Sequence, residues 1–166
     1  MTLSQAGTLI LVVIGWAATH LLSEARERRK EVRARLDDVF GALQELHASA
    51  ERFHCAEAFD RLQAQRLRTE IHSFQRKLER IAILNIDDLA PFILGVRRGI
   101  TLRNFEPSNF VHQGPDSDIL RDIVDATAEL EDELERQYTR AYPHRFPYFK
   151  ISSPVLLSSE RRVRPK

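Results

Sequence analysis

His47, Glu51 and His54 stand four and three residues apart. On a helix these positions share one face, and two imidazoles with a carboxylate make a metal-ligating set. Helical bundles that hold paired metals use a Glu-x-x-His step on each of two helices, with further glutamates from the others. Only one such step exists here, Glu51 to His54, while Glu70 and His72 have the wrong spacing. The competing reading of the trio is a solvated polar flank. Cys55 is the single cysteine, which excludes an internal disulfide and fits a reducing cytoplasm. His54 is its neighbour in sequence, but side chains at i and i+1 diverge on a helix. Cys55 therefore reads as a small core residue. No glycine-rich phosphate loop, G-x-S-x-G elbow, paired C-x-x-C or H-E-x-x-H is present. The expectation is a protein that is not an enzyme and takes no cofactor.

The elements around these residues begin with an apolar run, Leu9 to Leu22, inside an uncharged stretch from Leu3. About 20 such residues cross a bilayer as a helix. A cleaved signal peptide would need a basic first segment, and residues 1–8 hold no Lys or Arg. A buried helix of a soluble protein would show a polar face, and Leu9–Ile14 has none. Six basic residues follow within Arg26–Arg35 and none precedes the run. Basic flanks stay cytoplasmic, so residues 1–23 are expected to anchor the chain in a bacterial-type inner membrane, N-terminus outside and the rest cytoplasmic. Trp16, His20, Arg26, Arg28, Arg29 and Lys30 are then the membrane-interface residues, the lipid bilayer being the first partner. His20 there could sense pH. Gly15 and Thr19 form a small-x-x-x-small pair, through which two spans can approach closely.

The fold class expected is all-α, the anchor being followed by a cytoplasmic helical bundle with a basic extended tail. Val32, Leu36, Val39, Leu43, Leu46, Ala50 and Phe53 repeat at 4-3-4-3-4-3, the seam of a heptad. Ala64, Leu67, Ile71, Phe74, Leu78 and Ile81 repeat it in phase, with Glu57 and Asp60 at seam positions between. One long helix fits this register. So does an antiparallel coiled-coil hairpin folding back near residues 54–60, which we prefer because a compact domain buries such faces locally. Gly15, Thr19, Val32, Leu36, Val39, Leu43 and Leu46 are the expected oligomer interface.

Helices are expected at about 24–53, 56–84, 88–98 and 117–141, within a domain of residues 24–142. Asn85 offers an N-cap and Gly99 an end for the third. Residues 100–116 form a loop, pinned by Leu102, Phe105, Phe110 and Val111. The last helix has one apolar face, Ile119, Ile123, Ala126, Leu130, Leu134 and Tyr138, and an acidic opposite face that includes Glu129, Glu133 and Glu135. That face is expected to meet the basic helix after the membrane, or Arg97, Arg98 and Arg103. The tail, residues 143–166, is basic and extended. Its aromatics sit apart from its arginines, which argues against nucleic acid as a partner.

Residues 5–55 resemble bacterial cell-division and envelope coiled-coil proteins with one span, and the topology of a short outer N-terminus, one span and a cytoplasmic helix resembles the b subunit of the rotary ATP synthase. Neither resemblance brings a functional residue to this chain. Three functions fit these features. The first is a membrane-anchored scaffold that oligomerises or recruits a protein partner. The second is a membrane-perturbing effector, a toxin or phage-defence component with a helical regulatory domain. The third is a metal-binding helical bundle built on His47, Glu51 and His54.

Overall fold

The structure, a computed structural model, describes the backbone of residues 3–143 and the side chains of residues 11–143. The expected tail beyond Pro143 lies outside them. The described chain is all-α, with four helices: α1 Leu3–His54, α2 Arg61–Glu79, α3 Ile86–Thr101 and α4 Asp118–Ala141.

α1 is one unbroken helix of 52 residues, about 78 Å long at 1.5 Å per residue. The anchor and the first bundle helix, expected as separate elements, are thus a single rod. Among the described residues no helix is long and apolar enough to cross a membrane. The expected span includes residues 3–10, whose side chains are outside the described set. What remains of it, Leu11–Leu22, covers only about 18 Å of the roughly 30 Å a hydrocarbon core requires.

The heptad seam of α1 is the core. Leu36, Val39, Leu43, Leu46, Ala50 and Phe53 are buried, as are Ala64, Leu67, Ile71, Phe74 and Leu78 of α2. The two helices pack as the hairpin. This corrects the assignment of Leu36, Val39, Leu43 and Leu46 to an oligomer interface: their apolar surface is consumed within one chain. Val32, at the edge of the bundle, is half-buried.

The break between α1 and α2 is made by Asp60, one of the two acids standing in the seam. Its carboxylate accepts hydrogen bonds from the backbone N–H of Leu62 (2.7 Å) and Gln63 (3.2 Å). An N-cap satisfies otherwise orphaned donors, so α2 starts at Arg61 and not at 56. It also stops sooner than expected, at Glu79, and Ile81 and Leu84 reach the core from a turn.

α3 begins at the expected cap, where the Asn85 side chain accepts from the Asp87 N–H (3.2 Å). It runs three residues beyond the expected Arg98 end. Gly99 does not terminate it. Gly99 lies where α3 crosses α4, and a Cβ there would sit 3.5 Å from Ile123. At that distance a Cβ would make an ordinary van der Waals contact, so the crossing admits glycine without requiring it.

α1 touches α2 and α4, and α3 touches the same two. The four helices therefore run up, down, up and down, with α2 and α4 at opposite corners. Arg33 of α1 meets Glu135 of α4 at 2.6 Å. At this same end the Asn85 N–H donates to the Gln137 side-chain Oε1 at 2.7 Å. Residues 11–31 of α1 project beyond the bundle, exposed on nearly every face.

Leu43 is fully buried, whereas a Cβ at Gly41 would meet no atom within 4 Å. Leu43→Ala is expected to cost about 2–5 kcal/mol. Gly41→Ala should gain up to about 1 kcal/mol from helix propensity. Urea unfolding followed by circular dichroism checks both signs.

Candidate functional site

Two regions hold the sequence-predicted residues. The first is the projecting part of α1. Leu11, Val12, Val13, Ile14, Trp16, Leu21 and Leu22 are each between 59% and 71% exposed. The Trp16 and His20 rings stack at 5.5 Å, and His20 lies 3.6 Å from Glu24. The Thr19 hydroxyl donates to the Gly15 carbonyl at 2.8 Å, so its polarity is satisfied along the helix itself. Arg26 and Arg28 point to solvent and Lys30 pairs with Glu27 at 2.9 Å. Arg29 turns toward the bundle, 3.5 Å from the Tyr138 hydroxyl and over the Tyr142 ring. Arg33 joins it there, over the Tyr138 ring and paired with Glu135. That carboxylate raises the Arg33 pKa further, so the guanidinium is charged at any relevant pH. The acidic helix thus meets the basic end of α1, and also Arg103, which pairs with Asp122.

The second region is the far end of the bundle, where the expected metal set dissolves. Among the described residues no group of three His, Cys, Asp or Glu side chains could hold a metal ion. Glu51 is exposed and His47 half-buried, while His54 is turned into the core. Helical phase explains this. His54 follows the seam residue Phe53 and lies beneath the crossing α3, not on the outer flank with Glu51.

His54 is the centre of a polar latch that sequence reasoning missed. Its Nε2–H donates to the Ile100 carbonyl at 3.1 Å, and its Nδ1 accepts from the Asn104 amide at 3.2 Å, a tautomer assigned from the network. Asn104 also donates to the Val111 carbonyl (3.0 Å) and accepts from the Val111 N–H (2.8 Å). The Gln113 N–H reaches the His54 carbonyl at 2.9 Å, and the His112 ring lies 3.0 Å from the Cys55 carbonyl. Around this latch Phe53 packs against Phe59, Phe105 and Phe110, with ring centroids 4.9 to 5.7 Å apart. Of the four residues expected to pin the loop, Phe105 and Phe110 do so; Leu102 and Val111 are exposed. Burial raises the Cys55 thiol, with Glu51 adding to it, so the group is held as an unreactive thiol.

Glu133 was expected on the acidic outer face. It is 3% exposed, with one oxygen taking the Gln137 amide at 2.9 Å and the other beside the Arg136 guanidinium. The Gln137 side-chain oxygen in turn accepts from the N–H of Asn85, the N-cap of α3, so these residues join two helices. A cleft of about 780 Å³ between α1 and α2, bordered by Asp38, Val39, Gly41, Lys77, Arg80 and Ile81, is open to solvent and mixes charged with apolar side chains. No constellation described above suits covalent or acid–base catalysis.

Comparison with protein-family models, with curated proteins and with solved structures finds no match to this chain.

Burial lowers the His54 pKa, with the Ile100 hydrogen bond offsetting part of the shift. A proton on Nδ1 would also face the Asn104 amide donor. The unfolded chain thus binds the proton more readily than the folded one. The stability tied to this group is complete above the ordinary imidazole pKa of about 6.5 and declines as pH falls below it. The Tm of the full chain in detergent should therefore fall on acidification through that range. The slope should shrink in His54→Gln, although its Tm near neutrality is lower. Equal slopes in the two chains would show that His54 does not carry the dependence.

Proposed function

We propose that this protein is a membrane-anchored helical interaction module. The N-terminal part of α1 seats in a bilayer, with the N-terminus outside. The bundle is held at the cytoplasmic face of an inner membrane, where it gathers a second copy or a protein partner. One observation supports this reading above the others. The projecting part of α1 begins with Leu11–Ile14, four exposed aliphatic side chains that cover every face of the helix, and it continues without a break into the helix that carries the core.

Magnitudes favour it. Six aliphatic side chains from Leu11 to Leu22 stand exposed. Burying each is worth about 1.5–3 kcal/mol, together on the order of 10 kcal/mol. That equals the net stability of a typical domain, so a surrounding medium that buries them is strongly favoured. The bundle cannot serve, since its own core is filled and the rod points away from it. A bilayer buries every face of a helix at once, and Trp16 and the arginines from Arg26 suit its interface. The bundle itself supplies binding surface but no reactive centre, which favours recruitment over catalysis.

The full chain should float with phospholipid vesicles through a density gradient. A chain carrying Val12→Arg and Ile14→Arg should stay at the bottom while keeping its helical content. Each charge at mid-bilayer depth costs about 2.5–3.5 kcal/mol on insertion scales. A wild-type chain that remains monodisperse in detergent-free buffer and does not float would overturn the reading.

A further inference from the structure

We infer that anchored copies dock side by side, the acidic outer stripe of α4 in one copy meeting the basic end of α2 in the next. The inference rests on the membrane reading above and supplies the surface for the second copy.

The exposed charges of α4 and of the end of α2 differ in sign, with Asp37, Asp38 and Glu45 of α1 lining the cleft that Lys77 and Arg80 border. Asp125, Glu129 and Asp132 are exposed on α4 at i, i+4 and i+7, so they form one stripe. Neighbouring carboxylates of α4 are already engaged: Asp122 with Arg103, Glu133 with Arg136, and Glu135 with Arg33. The stripe has no such partner among the described residues. Its helix also carries Arg121, paired with Asp118, and Arg140, which lies at the far C-terminal turn. On the opposite corner, Arg76, Lys77 and Arg80 are exposed at the end of α2. Glu79 is the one acid among them, and Gln75 holds it at 3.5 Å. Neither Arg76, Lys77 nor Arg80 is in an ion pair among the described residues.

The two patches also stand at the same height. Arg33 of α1 pairs with Glu135, so Asp132 and Glu129 lie one to two turns further along α1, beside residues 36–40. Arg80 borders the same cleft as Asp38 and Val39. α2 and α4 both run antiparallel to α1, hence parallel to each other. A neighbour produced by sliding one copy sideways therefore brings acid to base without tilting either anchor.

Such a contact is heterologous, using two different patches, and it continues as a row or closes as a ring about the membrane normal. Exposed ion pairs are individually weak and screened by salt. A shared membrane changes the balance, because it fixes orientation and raises the effective concentration of one patch before the other. The buried seam of α1 contributes nothing to this contact.

The test uses the full chain in vesicles, in a Cys55→Ser background with Ala82→Cys and Ala128→Cys. These two exposed alanines flank the two patches. A short flexible bismaleimide should give a ladder extending beyond the dimer. Arg76→Glu with Arg80→Glu should reduce the ladder about tenfold, and so should Asp125→Arg with Glu129→Arg, since like charges then face each other. All four reversals in one chain should restore it, which excludes misfolding as the cause of the loss. A ladder that stops at the dimer, that forms from either single-cysteine chain, or that ignores charge reversal overturns the docking. Flotation of the same vesicles reads the anchor separately. A chain that floats without a ladder refutes the contact alone, and one that forms the charge-sensitive ladder without floating refutes the anchor alone.

Discussion

Burial of the α1 seam within its own chain is the interaction on which the rest of the structure depends. From Leu36 to Phe53 the seam offers α2 a continuous apolar ridge. Because both stretches keep the same heptad spacing, the reversal at Asp60 is enough to zip them together. α3 and α4 then cover what the hairpin leaves open, α4 beside Arg33 and α3 over the far end of α1. A seam satisfied in this way leaves Leu36, Val39, Leu43 and Leu46 no apolar surface to offer another chain.

The two ends of the bundle are closed by different chemistry. At the end near the projecting rod, arginines of α1 lie on the tyrosines and a carboxylate of α4. At the other end the closure is neutral and buried: one imidazole, one amide and a ring of phenylalanines. The Arg33–Glu135 pair thus stays within reach of water, while the latch avoids the large desolvation cost of a buried ion. The loop of residues 102–117 owes its order to Asn104, which binds both backbone groups of Val111 and so imitates a strand partner.

Much of the fold was legible because periodicity is a strong signal. The seams, the α4 apolar face at Ile123, Leu130, Leu134 and Tyr138, and the cap at Asn85 all follow from residue type and spacing. Element ends were less legible. Gly99 has the composition of a helix stop, yet α3 runs on through it to Thr101 and packs there on α4. Asp60 interrupts the seam, and only its place beside the Leu62 and Gln63 N–H groups makes it the cap that starts α2. The His54 latch was invisible for the same reason. Its partners, Ile100 and Asn104, lie about fifty residues away, and the nearer Glu51 suggested a metal set. The one local hint was that His54 adjoins the last seam residue.

The continuity of α1 has a geometric consequence. Each residue of an α-helix turns the chain by about 100°, and among the described residues Arg29 is the one side chain between Leu22 and Val32 with a hydrogen bond or cation–π contact to α4 or its C-cap. This interval sets the phase between the apolar rod and the bundle. Its residue count, more than its composition, fixes which flank of the bundle lies in line with a given face of the rod. A net gain or loss of one residue here would leave every helix, cap and core contact intact and still aim the whole domain in a different direction.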